Sequence, residues 1–97
     1  MVCDITNSSS QNMKKYILVP RAVGIDVAKS MLSVCVRYPN GTEHALAIRN
    51  INADITEKLL PLVAQCTGKV VMESTGHYHW LVALVLTEAG HDVRVVN

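Results

Sequence analysis

The motifs GIDVAK (Gly24 to Lys29) and MESTG (Met72 to Gly76) constrain this chain more than any other feature. Each sets one carboxylate, Asp26 or Glu73, in or at the end of a short apolar run that reads as a buried strand. A lone carboxylate in such a place is costly unless it is paired, hydrogen-bonded or bound to a cation. Two of them on strands able to lie side by side suggest half of a divalent-metal site. The plainer alternative is that each is a turn or ladder-end residue with a water partner.

The surrounding pattern predicts those strands. Ala22 to Ala28 alternates Val23, Ile25 and Val27 against Gly24, Asp26 and Ala28, which predicts a first strand. Met31 to Tyr38 alternates Leu32, Val34 and Val36 against Ser33, Cys35 and Arg37, which predicts a second. Asn40-Gly41 is a strong hairpin signal, and a type I′ turn is expected there because both residues tolerate positive φ. Thr42 to Arg49 is then the returning strand.

The period changes after Arg49. Asp54 and Glu57 have capping-box spacing, and Ile55, Leu59, Leu62, Val63 and Cys66 share one helical face. Pro61 falls inside that helix, so a kink or restart is expected, and Gly68 ends it. Lys69 to Glu73 predicts a fourth strand. Ser74 or Thr75 is the expected cap of a second helix running to Ala89, with Trp80, Leu81, Leu84 and Val85 as its core stripe. Gly90 is its stop, and Asp92 to Val96 predicts a fifth strand.

The fold class expected is therefore α/β, a mixed sheet in the order 3-2-1-4-5 with two helices. Right-handed crossovers put both helices on one face and leave the other bare. A bare face on such a sheet calls for further chain or another subunit. Residues 1–21 form a lead-in: Met1 to Met13 is rich in Asn and Ser, and Pro20 cannot donate to a central ladder. The ordered part is expected to be 22–97.

In this arrangement Asp26 and Glu73 occupy adjacent strands, whose backbones lie about 4.8 Å apart. Carboxylates at that spacing can share a hard cation such as Mg²⁺ or Mn²⁺, which keeps water and substrate phosphate oxygens as its other ligands. Free N–H groups at a helix start on Ser74-Thr75-Gly76 can hold a phosphate beside that cation. Lys29, just beyond the first strand, can do the same. Ser74 and Thr75 are better read as caps than as nucleophiles, since no base stands near them in sequence. Gly24 is expected to permit close backbone approach.

The rest of the composition narrows the field. Nine Lys plus Arg against eight Asp plus Glu, a net charge of +1, give no support for tight nucleic-acid binding by this piece alone, and do not exclude a DNA-processing fragment whose basic surface lies elsewhere. Cys3, Cys35 and Cys66 have no CxxC spacing; reduced thiols in a cytoplasmic protein are expected, two of them packed in the core. His44, His77, His79 and His91 lack zinc-finger spacing and read as surface or helix-start residues. The longest uninterrupted apolar run, Trp80 to Leu86, is far below the ~20 residues that cross a bilayer. No membrane association or export is expected.

GIDVAKSMLSVCV and VVMESTGHYHWLVALVLTEAGHDVRVVN, with the spacing between them, resemble the N-terminal part of the DEDD transposases of the insertion-sequence 110 family, from about Val23 to Asn97. The resemblance implies an RNase H-like (RuvC-like) catalytic domain in which four acids, in the order Asp, Glu, Asp, Asp, bind divalent metal. Asp26 matches the first and Glu73 the second. The third and fourth have no counterpart before Asn97, Asp92 being too early and in the wrong element. The expectation is thus a domain truncated before its C-terminal part and inactive alone. The resemblance further implies DNA as substrate, a structured RNA encoded by the element as partner, and a homo-oligomer, for which the uncovered sheet face is the expected contact.

Two other readings compete. An actin-like or sugar-kinase ATPase fragment also opens on a Gly-Ile-Asp strand, but its hairpin normally carries Gly and Thr or Ser to cradle phosphate, where this chain has Val27-Ala28-Lys29. A non-catalytic oligomerisation module would keep the fold without the chemistry.

Overall fold

The computed structural model describes residues 22–66, 68–74 and 76–96. The lead-in expected over 1–21 lies outside them, as does Thr75. Five strands, β1 (Ala22–Val27), β2 (Met31–Arg37), β3 (Glu43–Arg49), β4 (Val70–Ser74) and β5 (Val93–Val96), form one sheet in the order β3-β2-β1-β4-β5. The β1–β2 and β2–β3 pairs are antiparallel, and β1–β4 and β4–β5 are parallel. This is the mixed sheet of an α/β RNase H-like fold, in the expected order.

One face of the sheet is dry. Val23, Ile25 and Val27 of β1, Leu32, Val34 and Val36 of β2, and Val70 and Met72 of β4 are buried there. The crossover from β3 to β4 is a helix, α1, made of three contiguous segments: Asn52–Asp54, a wider π-helical turn Ile55–Leu59, and Leu60–Val63. Ile55, Leu59 and Val63, spaced four apart, are fully buried against the sheet, each worth roughly 1.5–3 kcal/mol of hydrophobic stabilisation. The restart expected at Pro61 is present. Proline has no N–H and its ring collides with the carbonyl four residues back. Here the helix widens before it, with Leu60 N–H donating to Ile55 C=O, and α-helical geometry resumes at Leu60.

The second helix, α2 (Trp80–Glu88), crosses from β4 to β5 on the same face and touches α1. It begins later than expected. Gly76 has φ of +71°, a left-handed conformation that cannot continue an α-helix, so the chain turns over residues 76–79 before the helix starts. Its end is as expected: Gly90 N–H donates to Thr87 C=O at 2.9 Å and His91 N–H to Leu86 C=O at 3.1 Å, a Schellman closure. The buried stripe is also different. Val82 and Leu86 are fully buried, whereas Trp80 is 67% exposed and Leu84 56%. Seven consecutive apolar residues offer no polar position to mark the outward side, and the late start sets the phase.

Four local expectations are corrected. The β2–β3 connection is a type I turn over Tyr38 to Gly41, closed by Gly41 N–H to Tyr38 C=O at 2.9 Å. Pro39 suits the position after Tyr38, and only Gly41, with φ of +89°, takes the left-handed region. Asp54 is not a capping residue. It lies inside α1, and its carboxylate accepts from Arg49 N–H at 2.9 Å, Nε at 3.2 Å and Nη2 at 3.0 Å, with Lys58 Nζ at 3.7 Å. Gly24 faces open space, since a Cβ there would meet nothing within 4 Å, so it accommodates no close neighbour. Of the described cysteines, both free, Cys66 packs against the core and Cys35 lies on the open face instead.

The hydrogen bonds from the Arg49 side chain and backbone hold the Asp54 carboxyl at about 2, below its usual 3.8. A depressed carboxyl adds stability that is complete above its unfolded value and lost as pH falls through its folded one. The anchor therefore weakens between pH 4 and 2. Asp54→Asn should lower the melting temperature at pH 7 and flatten the fall in stability between pH 4 and 2, as read by circular dichroism melts. Gly24→Ala should leave the chain folded and add about 0.5–1 kcal/mol, measured by urea unfolding, because the strand loses less backbone entropy and the methyl meets no obstruction.

Candidate metal centre

Burial of one face decides where the acids point. Val23, Ile25 and Val27 enter the core, so Gly24 and Asp26 emerge on the opposite side of β1. In β4, Val70, Met72 and Ser74 are inward and Val71 and Glu73 outward. The parallel register pairs Asp26 directly with Glu73. Both side chains are exposed on the open face, on neighbouring strands and at the same level.

The row continues on either side. Asp26 is opposite Ser33 in β2, Ser33 opposite Ala47 in β3, and Glu73 opposite Val96 in β5. The acids stand at the edge of a shallow groove of about 680 Å³, floored by small side chains such as Gly24, Ser33, Ala45 and Ala47. Ser33 is a polar neighbour that sequence reasoning did not single out. Its position directly across the β1–β2 hairpin from Asp26 was the available signal.

Among the described residues neither Asp26 nor Glu73 has a hydrogen-bond or ion-pair partner. The nearby strand arginines are engaged elsewhere, Arg37 with Glu43 and Arg49 with Asp54. Like charges directly opposite each other on paired strands repel. A divalent cation would remove that repulsion, and two carboxylates fit it as part of a ligand set. No group of three or more His, Cys, Asp or Glu side chains suited to a metal occurs among the described residues.

The remaining expected contacts divide. Lys29 is exposed in the bend that leaves β1, at the same end of the strand as Asp26. Ser74 is on the covered face with 2% of its surface exposed, so the structure does not bring it to the acids. Thr75 lies outside the described residues. The helix N–H groups expected beside Glu73 belong instead to a helix starting at Trp80, beyond the Gly76 turn. That turn carries an exposed aromatic group, with His77 centred 4.9 Å from Tyr78 and 5.3 Å from Trp80.

One further residue organises this end of the sheet. Asn50, in the bend after β3, donates from Nδ2 to Ala28 C=O and to Tyr78 C=O, each at 3.0 Å. Its N–H donates to Ser30 C=O at 2.9 Å. An isolated Asn before a helix reads as a turn residue, so its sequence context carried no signal of these long-range contacts. No helix among the described residues is long and apolar enough to cross a membrane.

No curated protein matches the chain. A family model, that of the DEDD transposases of insertion-sequence 110 type, matches residues 23–97. The match begins at the strand bearing Asp26 and includes the strand bearing Glu73. The chain belongs to the insertion-sequence 110 family of transposases.

Proposed function

We propose that this chain supplies the first two acids, Asp26 and Glu73, of a metal-dependent centre for DNA strand cleavage and transfer. The observation that carries the reading is their direct pairing across β1 and β4 on the face that no described element covers, with no partner of their own among the described residues. Bound there, Mg²⁺ or Mn²⁺ would supply charge stabilisation to a phosphodiester in displacement. Asp26 and Glu73 would ligate the cation from neighbouring strands. Lys29 would bind the DNA phosphate at the strand exit, and the small residues of the groove floor would let the backbone approach. Two carboxylates do not organise two cations, so the chain alone is inactive and depends on acids from elsewhere. DNA is the substrate in this reading, and a structured element-encoded RNA the partner.

Titration with Mn²⁺, followed by electron paramagnetic resonance, should show weak, saturable binding. Asp26→Asn or Glu73→Gln should reduce the affinity at least ~10-fold, as loss of a direct ligand costs no less than loss of its supporting group. The same samples should not nick supercoiled DNA. Binding indifferent to both substitutions would overturn the reading; nicking by the 97-residue chain that disappears in Asp26→Ala would overturn only the inactivity of the chain alone.

The open face also supports self-association. Met31, Val71 and Val96 emerge there, each more than 40% exposed, on a sheet of a kind usually covered on both sides. Light scattering should give a mass above that of the monomer, rising with concentration; a strict monomer at high concentration would count against this contact.

A further inference from the structure

Asn50 links two strand exits distant in sequence. Backbone pairing between β1 and β4 extends as far as Val27 and Ser74. Past that point β1 continues through Ala28, the second residue after Asp26, and β4 through the Gly76 turn to Tyr78, the fifth after Glu73. One side-chain amide holds both: Nδ2 donates its two hydrogens to the carbonyls of Ala28 and Tyr78. Since both partners are acceptors, the NH₂ group must face them and the oxygen must face away. That Oδ1 is buried and has no hydrogen-bond partner among the described residues. An unpaired buried oxygen is destabilising, so the amide is a poor choice for packing alone.

We infer that Asn50 is a positioning residue: by tying the exits of β1 and β4 together it holds the Asp26 and Glu73 carboxylates at the separation a shared divalent cation needs. The inference rests on the metal-binding reading above. It extends that reading to a side chain that contacts neither the cation nor the substrate. Asn50 acts through backbone carbonyls, two residues beyond one acid and five beyond the other. Its loss should loosen the pair while leaving the core, on the other face, in place.

The test compares Mn²⁺ affinity with melting temperature in wild type, Asn50→Ala, Asn50→Ser and Val63→Ala, each measured where circular dichroism shows it folded. Groups that hydrogen-bond a metal's ligands typically alter affinity 10–100-fold, and Asn50, acting through the backbone beyond the acids, belongs at the bottom of that range. Asn50→Ala should weaken binding about 10-fold. Asn50→Ser, which retains one short donor and is the milder change should the alanine variant not fold, should fall between it and wild type. Val63→Ala removes a buried α1 contact away from the clamp; it should lower the melting temperature with affinity unchanged. Equal affinity in wild type and both Asn50 variants, with binding still weakened by Asp26→Asn, would overturn the role of Asn50 and leave the metal reading standing. Wild-type binding that ignores Asp26→Asn would remove the metal reading and the inference together.

Discussion

Parallel pairing of β1 with β4 joins the hairpin half of this chain, β1 to β3, to the crossover half, and everything at the site follows from its register. Parallel strands cannot be closed by a tight turn. The connection here passes through β2, β3 and α1, so the pairing is held by burial and the sheet ladder. Val70 and Met72 must reach the same dry layer as Val23 and Ile25. A slip of one residue would send both into solvent and turn Glu73 inward, unpaired. Core burial thus fixes the direction of an acid that takes no part in the core.

Much of this was legible in the residues. Alternation in Val23 to Val27 and Leu32 to Val36 has period two with β-branched side chains, which few other structures accept. A hairpin step followed by right-handed crossovers leaves little choice of strand order, and the outward position of Asp26 and Glu73 is the complement of the buried positions. The remainder depended on competition between local options. Ser74, Thr75 and Gly76 look like a helix cap, yet Gly76 adopts positive φ and delays the helix to Trp80. Asp54 can satisfy a backbone N–H on either side of itself, and the upstream one, at the end of β3, prevails because Arg49 brings its guanidinium as well. Pro39 selects the turn type over the Asn-Gly pair that follows it. Asn50 was opaque for another reason: its partners are 22 and 28 residues away.

The helices and the acids divide the sheet between them. α1 and α2 cover the face that stabilises the fold, and the acids occupy the face that no described element covers. α2 repeats this division on a smaller scale, with Val82 and Leu86 against the sheet and Trp80 and Leu84 outward. A helix apolar on all sides usually lies between two layers. Only one is present among the described residues.

The groove floor has a consequence for the two acids. Level with the acids and toward Gly24, the outward positions of β2 and β3 are the small Ser33, Cys35, Ala45 and Ala47, with Met31 beyond Ser33 at the other end of β2, whereas on the other flank Val71 and Val96 rise beside Glu73. Relief across the sheet is therefore lopsided, low over the hairpin and higher toward the parallel edge. Asp26 borders the low side and Glu73 the high side, so the two carboxylates stand in unlike surroundings.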